Sequence, residues 1–407
     1  MFVKFIVSNF YSIGGEQTFV FTKSGACPNS GFFEGKKTGT IKENISLVNG
    51  FWGSNASGKT NILRAITILI SSMYFTPPNE QISIERQANL EISRNFKTKF
   101  KNKPTKLSGE LLIGRDLYSY TIHYLNKNIC FEELSIKSYF DKSAQYNLIY
   151  TRDQNGNINL GNNYKSFTDI INKLTLGSNQ SVISASLQLG LEFALPIKKY
   201  RVMWNVGGDL FPSIIKYIQT TINLKHNQAW IDDNAMDTTL TILRTFDPTI
   251  ESIDIKTEES VTIFFKHRGF DEMVDIQNES RGTQELFCYI YQTIDTMRKG
   301  GLVVYDEINR FLHPDIQNSI IGMFKNKRLN KNNAQLIFSS HDYEIINEIQ
   351  KEQVNIVGKK DGETISNQIV DFEGYRSDVN QSKKVRLGLY GSMPDIGNFE
   401  YNLNEVI

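Results

Sequence analysis

Residues 53–60 carry the most specific chemical pattern in the chain, Gly53-Ser54-Asn55-Ala56-Ser57-Gly58-Lys59-Thr60. This GxxxxGK[ST] pattern lies between a short apolar run typical of a strand and a helical pattern that begins at Lys59. Glycines let a backbone wrap around an anion, and successive N–H groups at a helix N-terminus bind phosphate. A chance glycine-rich turn is the alternative interpretation, but both flanking elements argue against it. We call residues 53–60 the phosphate loop.

The phosphate loop predicts ATP and Mg²⁺ as ligands. Lys59 is expected to reach the β- and γ-phosphates, where it would assist catalysis, and the Thr60 hydroxyl is expected to bind Mg²⁺. The other expected nucleotide contacts are the rest of the loop and the residue after it, namely Gly53, Ser54, Asn55, Ala56, Ser57, Gly58 and Asn61.

A second pattern is an apolar run that ends in two acids, Leu302-Val303-Val304-Tyr305-Asp306-Glu307. A buried parallel strand would deliver both carboxylates to the carboxyl edge of its sheet, where ligands bind. We expect Asp306 to hold Mg²⁺, mostly through water, and Glu307 to polarise the attacking water. Apolar strands often end in Asp or Glu, so this acid pair alone is weak evidence for a site. Its spacing from the phosphate loop and from the neighbouring motifs makes the evidence strong.

Two more segments could carry chemistry. Ser280-Arg281-Gly282-Thr283-Gln284 begins an amphipathic helix, where it could bind an anion or simply cap the helix. We call it the signature segment. Ser340-His341-Asp342 follows an apolar strand, and a lone histidine at such a place is usually structural.

Composition narrows the function classes. The sequence has 45 Lys+Arg and 44 Asp+Glu, a net charge of +1. This balance argues against a protein that is basic overall and binds nucleic acid or another polyanion over a large surface. Three scattered cysteines and five histidines show no disulfide or zinc spacing. The N-terminus is too polar for a signal peptide, and no apolar run is long enough to span a bilayer, so we expect a cytoplasmic protein.

One basic segment, residues 94–106, interleaves lysines with aromatics. It could contact a nucleic-acid backbone, but a solvated loop edge is the favoured interpretation. Its members are Arg94, Phe96, Lys97, Lys99, Phe100, Lys101, Lys103 and Lys106.

Hydrophobic periodicity predicts the elements that would position these residues. Alternation predicts strands over 2–8 and 17–22 and a second stretch of antiparallel sheet between 107 and 150. Residues 29–42 are expected to form a loop, and 77–106 an irregular or lid-like stretch. Helical periodicity dominates 165–246, including 214–222. The C-terminal part alternates helix (282–298), strand (302–305), helix (314–325), strand (334–339) and helix (342–350).

Together these motifs resemble the ABC/SMC superfamily of ATPases, and more closely its RecF/OLD-like branch, which includes ATPases of phage-defence systems of the RloA/AbiL type and the PARIS ATPase. The residues that carry the resemblance are Val7-Ser8-Asn9-Phe10-Tyr11-Ser12, the phosphate loop, the signature segment with Glu279, Asp306-Glu307-Ile308-Asn309, Leu312-His313-Pro314, residues 335–342 and the tail 386–394. The tail departs from the family ending at Ser392, and the resemblance is poor over about 140–245.

The resemblance implies an α/β fold, an ABC-type ATPase head with a P-loop α/β core and an antiparallel β subdomain, plus an inserted mainly helical region. It divides the chain into 1–140 (first part of the head), 141–250 (the insertion) and 251–407 (second part of the head). His341 would be the switch histidine that contacts the γ-phosphate. Ser280 and Gly282 would contact ATP held by another subunit, which implies a homodimer or higher oligomer. His313 would be structural or interfacial.

The implied function is an ATPase that senses and regulates a separate effector or toxin, in antiphage defence. The stretch after His341 is too short for the nuclease domain of OLD proteins, so effector chemistry is expected on another chain. The alternatives are a RecF-like repair ATPase that clamps DNA and a scaffold that turns ATP over very slowly.

Overall fold

The computed structural model describes residues 1–25, 31–38, 41–74, 92–141, 143–198, 200–206, 233–256, 262–372 and 380–391. The helical periodicity expected over 214–222, the first half of the expected lid-like stretch (77–91) and tail residues 392–394 lie outside these ranges.

The described strands are β1 (Phe2–Ser8), β2 (Gln17–Val20), β3 (Thr22–Ser24), β4 (Phe33–Thr38), β5 (Ile41–Ser46), β6 (Val48–Trp52), β7 (Thr105–Ile113), β8 (Asp116–Leu125), β9 (Asn128–Ser138), β10 (Asn147–Arg152), β11 (Ile158–Leu160), β12 (Arg201–Asn205), β13 (Ile250–Lys256), β14 (Thr262–His267), β15 (Val274–Asp275), β16 (Gly301–Tyr305), β17 (Gln335–Ser340), β18 (Val354–Lys360) and β19 (Glu363–Gln368). The described α-helices are α1 (Lys59–Tyr74), α2 (Thr168–Ile171), α3 (Val182–Gln188), α4 (Leu195–Lys198), α5 (Asp233–Phe246), α6 (Arg281–Lys299), α7 (Pro314–Met323) and α8 (Gln381–Arg386).

A six-stranded sheet in the order β12-β16-β17-β6-β18-β19 forms the centre of the fold. Its first five strands run parallel, and only β19 is antiparallel to its neighbour. The carboxyl ends of β6, β16 and β17 therefore meet at one edge, with β17 between the other two. The phosphate loop, the acid pair and His341 follow these three strands, so they lie at the same edge.

Both faces of this parallel sheet are covered, which explains why β6, β16 and β17 are buried along their whole length. Along β16, Val303 and Tyr305 pack into one hydrophobic core with α6 and α7, while Leu302 and Val304 pack into a second core with α1. Successive side chains of a strand point to opposite faces, so four consecutive apolar residues serve two cores.

A seven-stranded antiparallel sheet in the order β11-β10-β9-β8-β7-β1-β2 covers α1 from the other side. Residues 65–71 of α1 are all buried, as expected for a helix between two sheets. The predicted α/β class and its antiparallel subdomain are confirmed.

The expected loop over residues 29–42 is wrong in its described part. Strands β4 and β5 pair antiparallel, from Phe33 opposite Ser46 to Thr38 opposite Ile41, and β3 completes a small sheet. Glycine, lysine and threonine indicated a loop, but Ile45 and Phe32 are buried and anchor this sheet to the rest of the fold. Backbone pairing outweighed local composition here.

The expected helix over 342–350 is also different. The chain forms two 3-10 turns, Glu344–Asn347 and Lys351–Gln353, rather than an α-helix. The Asp342 carboxylate accepts the Glu344 N–H at 3.0 Å, and Ile345 and Ile346 turn into the core. Short tight turns bury both isoleucines without a continuous helix.

Residues 141–250 contain strands as well as helices. β10 and β11 extend the antiparallel sheet, and β12 is an edge strand of the parallel sheet. The division of the chain at 140 and 250, and the mainly helical character of the part between, stay predictions. In the ranges described, no helix combines the length and apolarity that crossing a membrane requires.

Candidate functional site

The phosphate loop connects β6, which ends at Trp52, to α1, which begins at Lys59. A Cβ on Gly53 would lie 2.1 Å from the Val357 carbonyl oxygen, so only glycine fits there. Gly58 has a φ of +110°, a backbone conformation that favours glycine, and its Cβ would lie 2.0 Å from Thr364 Oγ1. The two loop glycines are thus required by close packing and backbone geometry.

Lys59 folds back over the loop that precedes it. Its Nζ donates hydrogen bonds to the carbonyl oxygens of Gly53 at 2.9 Å and Ser54 at 3.0 Å. Burial lowers the pKa of Lys59 to about 8, while the nearby charges of Asp306 and Glu307 act in the opposite direction. The three residues therefore share one electrostatic environment, although the sequence separates them by about half the chain.

The acid pair follows β16 directly. The Asp306 N–H donates to the Asn205 carbonyl at the end of neighbouring β12, at 2.8 Å. Ser339 on β17 bridges both acids, because its hydroxyl donates to Asp306 Oδ1 at 2.5 Å and accepts the Glu307 N–H at 2.8 Å. Glu307 also has a φ of +50°, a conformation uncommon in residues other than glycine. Backbone geometry and a neighbouring hydroxyl thus orient the acids.

His341 follows β17 and lies beside Glu307, with 3.8 Å between Nε2 and Glu307 Oε1. Its backbone N–H donates to Asn309 Oδ1 at 3.1 Å, and the Ser340 hydroxyl donates to the same oxygen at 3.2 Å. Burial and the charge of Lys59 lower the pKa of His341, while the acid pair opposes the shift. The imidazole is therefore neutral at pH 7, able to donate from one nitrogen and accept at the other.

Sequence reasoning missed Ser339 and assigned no task to Asn309. Both orient the predicted site residues through hydrogen bonds. A signal was present for Asn309, because it stands two residues after Glu307 in the segment that carries the family resemblance. Ser339 also lies in a segment that carries the resemblance, residues 335–342, but its task depends on the pairing of β16 with β17, which the sequence alone does not give.

The signature segment begins α6, and Ser280 is its N-cap. The Ser280 hydroxyl accepts the Thr283 N–H at 3.1 Å, so the hydrogen bond of a simple helix cap is present. Gly282 lies in the first turn, where the nearest atom of a described residue to an added Cβ would be the Phe311 carbonyl oxygen at 3.5 Å. Packing among the described residues therefore does not require a glycine there. The role of Ser280 and Gly282 toward a second subunit stays a prediction.

His313 caps α7 and is largely exposed. Its Nδ1 accepts the Asp315 N–H at 3.3 Å, as expected for a structural residue. Two residues earlier, Phe311 is half exposed, and the guanidinium groups of Arg281 and Arg310 lie 5.5 and 4.9 Å from its ring centre.

The basic segment is partly neutralised. Glu363 accepts ion pairs from Lys97 at 2.9 Å and Lys99 at 2.8 Å, which lower the pKa of its carboxyl to about 2. Phe100 is buried, whereas Phe96 is exposed. Two of the lysines therefore have an internal carboxylate partner, which supports the interpretation of a structural loop edge.

The residues at the carboxyl edge fit a magnesium nucleotide. The loop supplies a helix N-terminus and a buried ammonium group, both suited to phosphate oxygens. Asp306 and Thr60 have side-chain oxygens of the kind that coordinate Mg²⁺ in P-loop proteins. In such proteins phosphate oxygens and water complete the coordination of the ion. The Ser57 hydroxyl is buried and has no hydrogen-bond partner among the residues that the structure describes, so a polar group of the loop is unsatisfied there.

A loop of this pattern that opens a helix directly after a parallel strand places the protein in the P-loop class of α/β proteins. Residues 48–347 match the family model described as "AAA domain, putative AbiEii toxin, Type IV TA system". The chain belongs to this family. None of the curated proteins matches it.

Three of the solved structures that are similar to this chain are SMC head domains. The SMC head bound to the C-winged helix domain of ScpA has 13% identity and a TM-score of 0.48, over 91% of this chain and 98% of that one. The SMC head domain from Thermotoga maritima has 14% identity and a TM-score of 0.35, over 90% and 98%. The Pyrococcus furiosus head with an extended coiled coil, bound to the C-terminal domain of ScpA, has 12% identity and a TM-score of 0.45, over 96% and 99%.

Proposed function

We propose that the protein is a Mg²⁺-dependent ATPase whose site is the carboxyl edge of the parallel sheet. The observation that carries the proposal is the meeting of Lys59, Asp306, Glu307 and His341 at the ends of three adjacent strands. Membership of an AAA-domain family agrees with nucleotide binding.

Each residue has a distinct task in the proposed hydrolysis. Lys59 and the loop N–H groups would hold the phosphates. Thr60 and Asp306 would hold the cation, which would supply positive charge against the charge that develops on the phosphates. Glu307, with its backbone held by Ser339, orients the attacking water and accepts its proton. Neutral His341 donates a hydrogen bond to the γ-phosphate.

A complete site needs a second copy in this proposal. Ser280 and Gly282 at the N-terminus of α6 would contact the γ-phosphate of ATP held by a partner subunit, as the family resemblance implies. The position of both residues at the N-terminus of α6 supports it, because a helix N-terminus attracts anions. ATP would then hold two chains together, and hydrolysis would release them.

The biological role we propose is regulation of a separate effector or toxin protein in antiphage defence, as in systems of the RloA/AbiL and PARIS types. The family description, with its putative AbiEii toxin and type IV toxin–antitoxin system, supports this setting. A RecF-like clamp on DNA is the alternative. It is less favoured because Glu363 already binds Lys97 and Lys99 of the basic segment.

Phosphate release from ATP tests the chemical proposal. Glu307→Gln should retain ATP binding and lower kcat by about 10²- to 10⁴-fold, the usual contribution of a general base. Glu348→Gln is the matched control, because Glu348 is exposed, and it should hydrolyse ATP at the normal rate. Unchanged hydrolysis by Glu307→Gln, or no ATP binding by the unmodified protein, would contradict the proposal.

A further inference from the structure

A chain of side-chain hydrogen bonds encloses the C-terminal half of the phosphate loop. Thr364 on β19 donates from its hydroxyl to the Ser57 carbonyl oxygen at 2.8 Å. The Ser12 hydroxyl lies 2.7 Å from Thr364 Oγ1, and Asn61 Nδ2 donates to Ser12 Oγ at 2.7 Å. This series of hydrogen bonds thus starts at Asn61 in the first turn of α1. It passes through Ser12 and Thr364, which are distant in sequence, and ends at the Ser57 carbonyl in the loop.

The donor and the acceptor of every hydrogen bond in this series are determined. Each hydroxyl has a single hydrogen to donate. Because Thr364 uses its hydrogen on the Ser57 carbonyl, Ser12 must donate to Thr364 Oγ1, and Ser12 in turn accepts from the Asn61 amide. Hydrogen bonds aligned in one direction polarise one another, so the middle member affects both ends.

This chain controls the orientation of one peptide plane. A trans peptide is planar and directs its C=O and N–H in opposite directions. Since Thr364 holds the Ser57 carbonyl, the Gly58 N–H of the same peptide points away from Thr364. If the plane rotated, a carbonyl dipole would replace an N–H in a loop that must receive an anion. Gly58 depends on the same contact, because its position against Thr364 leaves no room for a side chain.

Thr364 is itself held firmly. It is almost wholly buried, and its N–H donates to the Ser12 carbonyl at 2.8 Å. The preceding residue, Glu363, binds Lys97 and Lys99, and the Gly15 N–H donates to its carboxylate at 3.3 Å. The β18–β19 hairpin is therefore fixed to two other segments, beside the peptide that it orients.

We propose that Thr364 and Ser12 are positioning residues for nucleotide binding, which hold the Ser57–Gly58 peptide with its N–H directed to the phosphates. The inference rests on the proposed function, since it concerns the same loop. Neither residue touches the nucleotide in this proposal; both act through the Ser57 carbonyl.

ATP affinity of hydroxyl-deleted variants tests the inference, measured by calorimetric titration with Mg²⁺ in a Glu307→Gln background that prevents turnover. Thr364→Val keeps the side-chain shape and removes the hydroxyl. It should weaken ATP binding roughly ten-fold, which corresponds to about 1.4 kcal/mol, the scale of one or two hydrogen bonds. Thr364→Ser restores the hydroxyl without the methyl group and should recover most of the affinity.

Thr121→Val is the matched control. Thr121 also shares a hydroxyl–hydroxyl contact, 2.8 Å from Ser108 in the antiparallel sheet, and its loss should leave ATP affinity unchanged. Thermal unfolding of each variant is recorded alongside, and affinity is compared well below the lowest melting temperature. Equal ATP binding by Thr364→Val and the parent, or no recovery by Thr364→Ser, overturns the inference. Absence of ATP binding by the parent itself overturns the proposed function instead.

Discussion

At the scale of single residues, Lys59 is a basic side chain whose burial disfavours its charged form. Burial lowers its pKa to about 8 even though Asp306 and Glu307 lie nearby. Its ammonium is satisfied by two carbonyl oxygens of the loop. A phosphate beside Nζ would stabilise the charged form further, so ligand binding and protonation of Lys59 should be linked.

ATP binding should therefore take up a proton at about pH 8.5, because free Lys59 is then largely neutral and the bound form is charged. Affinity should fall as the pH rises through about 8 and be nearly constant only well below that value. Calorimetric titration in two buffers of different ionisation enthalpy measures the uptake. Lys59→Arg is the control, since arginine stays charged throughout, and any binding it retains should show no uptake. Wild-type binding without proton uptake at about pH 8.5 would refute the linkage.

At the scale of elements, one buried carboxylate joins the antiparallel sheet to the start of α3. Glu132 on β9 accepts hydrogen bonds from the hydroxyls of Tyr150 at 2.6 Å and Tyr120 at 3.1 Å. It also accepts the N–H groups of Val182 at 2.8 Å and Ile183 at 3.3 Å. Burial raises the pKa of Glu132, and these four donors oppose the shift. The strand and the helix are thus connected through one side chain.

Glu132→Gln should destabilise the fold by about 1–3 kcal/mol, because an amide nitrogen cannot accept the hydrogen bond that a carboxylate oxygen accepts. Urea unfolding measures the change. Glu133→Gln, at the next position of the same strand and only half-buried, is the control and should alter stability by less than about 0.5 kcal/mol. Equal stability of the two variants would show that this connection contributes little.

At the scale of the whole molecule, the parallel sheet brings the loop, the acid pair and His341 to one edge, whereas the signature segment begins a helix whose cap bonds remain internal. A second copy would complete the proposed site. In the function proposed above, this division would link ATP binding to association.

The native mass of Glu307→Gln should accordingly double or rise further when ATP and Mg²⁺ are added, because ATP is bound and not hydrolysed. Adding Ser280→Arg should prevent the rise, since a bulky side chain would block the composite contact while ATP affinity of the single chain is retained. Ser178→Arg, at an exposed position, is the control and should still associate. Association that survives Ser280→Arg would argue against the signature role, and a mass unchanged by ATP would argue against the composite site.

The sequence by itself determined the phosphate loop, the acid-ended strand, most strands of the antiparallel sheet and half of those of the parallel sheet, because these depend on local patterns: glycine spacing, a helix start and hydrophobic alternation. Only the tertiary structure decided that Ser339 bridges the acid pair, that Asn309 holds His341 and that Thr364 holds the loop. Those contacts join residues up to about three hundred positions apart in sequence, and they exist only because β16, β17, β6, β18 and β19 lie side by side. The β4–β5 hairpin escaped sequence prediction for a similar reason, since its pairing outweighs a loop-like composition.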